Sequence, residues 1–158
     1  MIIPASFESV PYQFFYLCTG FRGTLNVQWT VISNEAFYGC SGFDGELSIT
    51  NVEYIGKRAF VGTNFKGALE FGQNIQKIGD EAFMNCTDFT SISLRGSTQL
   101  GNRTFAFCTG ISSSIYLNND PPDECFIGCT SITNVQFGQD VENIGASCFE
   151  GCISLAGT

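Results

Sequence analysis

Histidine is absent from the 158 residues of this sequence. This excludes histidine acid–base catalysis, nucleophiles paired with histidine, and zinc sites that contain histidine. Lysine and arginine together number seven against fifteen acidic residues, and the net charge is −8. Because so few cations cannot neutralise a polyanion, we expect neither nucleic acid nor an anionic membrane surface as a partner.

Long hydrophobic runs are also lacking. No apolar stretch approaches the ~20 residues of a membrane-spanning helix, so no membrane insertion is expected. The first ten residues have no basic segment and no sustained apolar one, so they do not look like a signal peptide. Apolar residues nevertheless make up 44% of the chain, with sixteen phenylalanines and eight cysteines. This composition predicts a folded core rather than disorder.

A phenylalanine recurs at intervals of 21 to 23 residues along the whole chain. The recurrent residues are Phe15, Phe37, Phe60, Phe83, Phe105, Phe126 and Phe149. In most copies a valine, isoleucine or leucine stands five residues earlier and a cysteine three residues later. A unit of this length cannot bury its own apolar residues, but stacked units bury those of their neighbours. The spacing therefore predicts one domain over residues 1–158, with about seven repeats and no recognisable caps.

Each repeat also carries signals of local structure. An apolar–polar–apolar triplet such as Leu47-Ser48-Ile49 predicts a short strand with one buried face. The stretch 55–62 suits a single α- or 3₁₀-helical turn. Glycine or asparagine two residues after most of the phenylalanines predicts a positive φ there. Leu17 and Phe107 depart from this rule, so we expect those two corners to be built differently.

Several segments resemble the BspA-like (Treponema pallidum-type) leucine-rich repeats: NVEYIGKRAFVG, QNIQKIGDEAFMNCTDFTSISL and ENIGASCFEGCISL. The sequence departs from that pattern at Pro121-Pro122, in place of Ile-Gly, and at Thr63, in place of a cysteine. The resemblance implies an α/β solenoid, a right-handed coil. Its curved parallel sheet would line the concave face, and short helical turns the convex face. It also implies a non-enzymatic adhesin-like protein, displayed on a cell surface or secreted, that binds host or matrix proteins such as fibronectin.

The eight cysteines allow three interpretations. Six occupy the column after the phenylalanine, and Cys125 and Cys148 stand directly before it. Buried thiols that act as small apolar groups are the favoured interpretation. A disulfide between adjacent coils, such as Cys125–Cys148, and a four-cysteine zinc site are the alternatives. We expect no cofactor and no metal.

The polar positions of the predicted strands form the candidate binding surface. Solenoids bind partners across such faces, and tyrosine and arginine are frequent at interface hot spots. An ordinary solvated sheet face is the alternative for any single position. The candidate residues are Asn26, Gln28, Ser48, Thr50, Glu70, Ser93, Arg95, Tyr116, Asn118, Asn134 and Gln136.

Two functional hypotheses follow. The first is an adhesion module for a protein or glycan partner. The second is an intracellular scaffold or assembly protein, which the missing signal peptide and the abundant thiols favour, so a cytoplasmic location remains open. The absence of caps predicts either a fragment of a longer array or self-association through the ends.

Overall fold

The chain folds as a parallel-strand β-solenoid of about six turns in a computed structural model, which describes residues 9–94, 96 and 98–156. One set of strands precedes the recurrent phenylalanines: β1 (Ser9–Val10), β3 (Val31–Ile32), β5 (Tyr54–Ile55), β7 (Lys77–Ile78) and β9 (Gln99–Leu100). These five strands pair in parallel as one continuous sheet, here called the first sheet. The predicted stacking of coils in parallel is thereby confirmed.

The second set of strands contains the apolar–polar–apolar triplets: β2 (Leu25–Asn26), β4 (Leu47–Ser48), β6 (Gly67–Glu70), β8 (Phe89–Ser93), β10 (Ile115–Leu117) and β11 (Val135–Phe137). Its solvent-facing side is here called the triplet face. The prediction of one continuous curved sheet is wrong for this set, because the strands pair as β2–β4, β6–β8 and β10–β11. A single bridge between Ile49 and Phe71 lies between the first two pairs.

A change in spacing accompanies both breaks in this second set. From the recurrent phenylalanine to the triplet, the count is ten residues in the first two coils (Phe37 to Leu47). It is nine in the next two (Phe60 to Leu69), ten in the fifth (Phe105 to Ile115) and nine in the sixth (Phe126 to Val135). Both breaks coincide with a change of this count, but β10 and β11 pair in register across the third change, so the count alone does not interrupt the pairing.

The first sheet ends where proline enters the chain. Gly56, Gly79 and Gly101 each donate an N–H to the preceding coil, for example Gly79 N to Ile55 O at 2.8 Å. Pro122 stands at the equivalent position and has no N–H to donate. The pattern resumes one coil later, where Gly145 N donates to Pro121 O at 2.8 Å.

The prediction of short helical turns is wrong, since no helix occurs among the residues that the structure describes. Alternate N–H groups of each turn instead donate to the next coil, as Phe37 N does to Ala59 O at 2.8 Å. The N–H between them bonds locally, as Tyr38 N does to Glu35 O at 3.2 Å. The rings of the recurrent phenylalanines stack 5.0–5.6 Å apart. A helix about 10 Å across does not fit at that spacing.

Each turn contains two residues with positive φ, one on either side of the phenylalanine. Two residues after it, Gly62 has a φ of 65° and Asn85 one of 59°, as expected. Leu17 and Phe107 adopt the same conformation, at 55° and 60°, so the expectation of differently built corners is wrong. In both cases the next coil has glycine, and a Cβ on Gly128 would lie 2.4 Å from the Phe107 ring. The larger side chain thus covers the neighbouring glycine.

The residue two positions before each phenylalanine also has positive φ. From Glu35 to Glu124, the charge at this position alternates in sign from one coil to the next. Arg58 Nη1 lies 3.1 Å from Glu35 Oε1, and Arg58 Nε lies 3.5 Å from Glu81 Oε2. Arg103 and Glu124 pair at 3.1 Å. The acidic residues at this position therefore balance the charge of cations in adjacent coils.

The core is a file of stacked phenylalanine rings. The six ring pairs from Phe15 to Phe149 are nearly parallel, with interplanar angles of 1° to 22°. Phe60 and Phe83 are fully buried, as predicted. A second file, Phe21–Phe43–Phe65, stacks at 5.2 and 4.5 Å.

Candidate binding face

The triplet face presents one row of outward-pointing side chains from six strands, of which all are exposed except Ser48 and Ser93, which are half-buried. The row consists of Asn26, Ser48, Glu70, Ser93, Tyr116 and Gln136. Asn26 is paired in register with Ser48, Glu70 with Ser93, and Tyr116 with Gln136. Tyr116 is 50% exposed, the largest apolar surface in this row. Most residues on either side of these row positions are buried in the core, whereas Leu94 and Val135 are half-buried and Phe137 is exposed.

The remaining candidate residues flank this row. Gln28 and Thr50 are exposed, and Asn118 and Asn134 are half-buried. The Gln28 amide donates to Asn26 Oδ1 at 2.7 Å, which orders two neighbouring side chains of the face. Arg95 lies outside the residues that the structure describes.

A depression of about 330 Å³ interrupts the face where β4 and β6 fail to pair. Glu46 and Glu70 border it, together with Ser48, Thr50 and the small side chain of Ala68. Sequence reasoning missed Ala68, because a small apolar residue at a polar position carries no chemical signal. The count from the phenylalanine to the triplet changes from ten to nine at the depression, but it changes in the same way between β10 and β11, which pair, so this count does not locate the depression by itself.

A larger groove lies on the first sheet, outside the binding surface predicted from the sequence. Its volume is about 630 Å³, and Tyr12, Tyr54, Lys57 and Lys77 are among the residues that line it. The signal was present, because these residues occupy fixed positions six and three residues before the recurrent phenylalanine.

All eight cysteines are free thiols, and all except Cys18 are buried. Five of the column thiols donate to the carbonyl of a phenylalanine in an earlier coil, for example Cys40 Sγ to Phe15 O at 2.8 Å and Cys86 Sγ to Phe60 O at 3.0 Å. Burial raises the pKa of Cys40 and Cys86 to about 11 and that of Cys129 to about 12. These thiols are therefore neutral hydrogen-bond donors at physiological pH.

Within the described part of the chain, no group of three or more cysteine or acidic side chains is arranged to hold a metal ion. The same residues include no helix long and apolar enough to cross a membrane.

The model of the BspA type leucine rich repeat region matches six copies in this chain, over residues 1–111 and 30–156. The chain belongs to this family. Thr63, which departs from the repeat pattern, donates through Oγ1 to Phe60 O at 3.0 Å. The hydroxyl thus makes a buried hydrogen bond within its own coil, whereas the thiols of this leucine-rich repeat donate to the coil before.

Two solved structures share the fold. A leucine-rich repeat protein from Bacteroides ovatus superposes with a TM-score of 0.66 at 22% identity, over 98% of this chain and 52% of that protein. The leucine-rich repeat protein of T. pallidum superposes with a TM-score of 0.59 at 20% identity, over 85% of this chain and 78% of that one. This chain thus spans about half the length of the B. ovatus protein. No curated protein matches the sequence.

The thiols of this leucine-rich repeat chain should react in two classes. We expect a disulfide-exchanging thiol reagent at pH 8 to modify the half-buried Cys18 first, and the seven buried thiols only as the protein unfolds. The pKa values of the buried thiols are higher in the folded protein than the usual value for cysteine. The stability that these thiols contribute is therefore fully present below about pH 9 and is lost as the pH rises towards 11. Absorbance titration with and without denaturant measures the first effect, and urea unfolding at pH 8 and 10 the second. Six or fewer thiols in the denatured, unreduced protein would instead reveal a disulfide.

Proposed function

We propose that the protein is a non-enzymatic interaction module, displayed on a cell surface or secreted, that adheres to host or matrix proteins through its triplet face. The observation that carries this proposal is the outward-pointing row from Asn26 to Gln136, which strands hold in a fixed order. Side chains placed on strands keep their relative positions better than those on loops, so they suit recognition. Surface location and adhesion rest on what membership of the BspA-type family implies.

The chemistry of the face indicates the kind of protein it binds. Glu46 and Glu70 border the depression and favour a basic side chain of the partner. Tyr116 offers a half-exposed ring to an apolar group, with a hydroxyl at its edge. The other row residues are uncharged, and the short side chains of Asn26, Ser48 and Ser93 supply hydrogen bonds without a large loss of side-chain entropy.

Replacing Tyr116 by alanine should weaken binding to immobilised plasma fibronectin by about 1–2 kcal/mol, as for an aromatic hot spot. The double variant Tyr116→Ala with Glu70→Gln should weaken it further, because the two side chains lie in one row. The thermal stability of both variants should change by less than ~0.5 kcal/mol, since both positions are exposed. Surface plasmon resonance gives the affinities, and thermal unfolding checks the fold.

Tyr16→Ala is the matched control, because Tyr16 is 39% exposed but lies on the turn, stacked 5.0 Å from Tyr38. If this change reduces fibronectin binding as much as Tyr116→Ala does, the triplet face is not the binding surface. If the unsubstituted protein binds neither fibronectin nor other matrix proteins, the adhesion proposal fails.

An intracellular scaffold is the second candidate. The observation in its favour is that all eight cysteines are free, as is usual in a reducing compartment. Labelling intact source cells with an impermeant amine reagent separates the two candidates. Modification of exposed lysines such as Lys66 would place the protein outside, and its absence would favour the scaffold.

Self-association through the ends stays a prediction. Phe137 and Ile144 are 43% and 52% exposed, and Ile153 is 83% exposed, which agrees with an apolar surface there. Exposure of Val10, Phe15, Cys148 and Phe149 would also be expected at uncapped ends, but the first three are buried and Phe149 is half-buried. Ile3 and Phe7 lie outside the described residues.

A further inference from the structure

The groove on the first sheet has two walls formed by side chains of successive coils. Val31, Tyr54 and Lys77 are paired in register on β3, β5 and β7 and form one wall. Tyr12 and Lys57 belong to the other wall. A volume of about 630 Å³ lies within the usual range for small-ligand sites, and the groove rests on the continuous sheet of the fold.

The floor of the groove is formed by main chain whose N–H groups already donate hydrogen bonds within the protein. Gly56 and Gly79 lie on it, and each N–H donates to the preceding coil, to Ile32 O and Ile55 O, at 2.8 Å. A Cβ on Gly79 would lie 2.7 Å from Lys57 N, so there is no room for a side chain at this position of the floor. Because these main-chain donors are in use, a peptide strand laid in the groove would find no ladder to extend. Recognition here must come from side chains.

Two tyrosines supply flat apolar surfaces. Tyr12 is 62% exposed and Tyr54 is 41% exposed, and neither ring stacks on another aromatic ring in the described part of the chain. The Tyr54 hydroxyl donates to Gln76 Oε1, which holds the ring in place. A tyrosine ring packs well against the C–H face of a sugar ring, because its face is apolar while its hydroxyl stays in water.

Lys57 and Lys77 make the groove locally positive, although the protein as a whole has a net negative charge. Lys57 lies 3.8 Å from Asp80, but both side chains are about half exposed, so this pair is weak. Asp80 also accepts Asn102 N at 3.2 Å. Lys77 forms no ion pair with any residue that the structure describes. Its ammonium group is available to an anion.

We propose that this groove binds an anionic oligosaccharide, with sugar rings on Tyr12 and Tyr54 and a carboxylate or sulfate between Lys57 and Lys77. The site is separate from the triplet face, so it does not depend on the function proposed for that face. Carboxylate and sulfate are two sources of the same anionic chemistry, and the ligands tested must distinguish them.

Calorimetric titration of the full chain tests the proposal with four ligands. Hyaluronan hexasaccharide carries carboxylates only, heparin-derived hexasaccharide also carries sulfates, maltohexaose is neutral, and hexaglutamate is an acidic peptide. We expect at least one of the two anionic sugars to bind, more weakly as salt rises, and to exceed both maltohexaose and hexaglutamate. Equal binding of the neutral sugar, tighter binding of the peptide, or no binding of either anionic sugar would overturn the proposal.

Lys77→Gln should weaken binding of the anionic sugar about tenfold, the loss expected for a hydrogen bond to a charged group. Tyr54→Ala should have a similar effect, whereas Tyr54→Phe keeps the ring and loses only its hydrogen bond to Gln76, so it should weaken binding less than Tyr54→Ala does. Lys66→Gln is the matched control, because Lys66 is exposed and lies outside the groove. A loss at Lys66 equal to that at Lys77 would show binding by overall charge and contradict the assigned site.

Discussion

Replacing Phe83 by alanine is expected to lower the free energy of unfolding by about 3–5 kcal/mol. The ring is fully buried and stacks on Phe60 at 5.1 Å and on Phe105 at 5.6 Å. Its removal leaves a cavity in the middle of the ring file, and the two neighbours cannot close it, because the hydrogen bonds of the turns fix the spacing between coils. Urea unfolding followed by circular dichroism measures the change.

Phe149→Ala is the control within the same column. Phe149 is half-buried and stacks on one ring of the file, Phe126, at 5.5 Å. We therefore expect Phe149→Ala to lower the free energy of unfolding about half as much as Phe83→Ala does, because the Phe149 ring buries less apolar area and makes fewer contacts. Equal losses at the two positions would mean that the ring file does not determine stability in this solenoid.

Gly79→Ala is expected to cost about 3 kcal/mol or more, at the upper end of the range for overpacking. The φ of Gly79 does not require glycine, but an added Cβ would meet Lys57 N at 2.7 Å and Gly56 C at 2.9 Å. Both are backbone atoms that cannot rotate away, so the two coils must separate at the first sheet. Thermal and urea unfolding report the loss.

Gly62→Ala separates this clash from backbone strain. Gly62 has a φ of 65°, and nothing lies within 4 Å of an added Cβ. The expected loss is about 1 kcal/mol, the penalty of a left-handed conformation. Gly62→Asn should be milder still, since Asn85 adopts the same conformation one coil later. A larger loss at Gly62 than at Gly79 would contradict the close approach between coils.

The positions of the coils were predictable from sequence because every coil repeats the same short distances. The residue five before each phenylalanine and the cysteine three after it are joined by a fixed stretch of chain, so they recur on the same side of every coil. The burial of Phe60 and Phe83 and the positive φ of Asn85 follow from that periodicity. The outward-pointing row of the triplet face follows as well, because alternation along a strand is local.

The failures all concern contacts between coils. The stretch 55–62 has the length and composition of a helical turn, yet its N–H groups bond to the next coil, as Phe60 N does to Ala82 O at 2.8 Å. Leu17 and Phe107 were expected to alter their corners, but a glycine in the next coil makes room for them. Arg58 pairs with Glu35 and Glu81, each of which is 23 residues away. A prediction made from one segment at a time does not compare residues at that separation.

The sequence by itself determined that this protein is a stack of similar coils with a phenylalanine core, and which residues face that core. The physical reason is that a 22-residue unit can bury its apolar columns only against its own copies. The tertiary structure alone decided where the continuous sheet lies, that the turns are not helical, and that a groove with Tyr54 and Lys77 faces solvent. These features depend on the distance and hydrogen-bond direction between coils, which arise only when the coils are stacked.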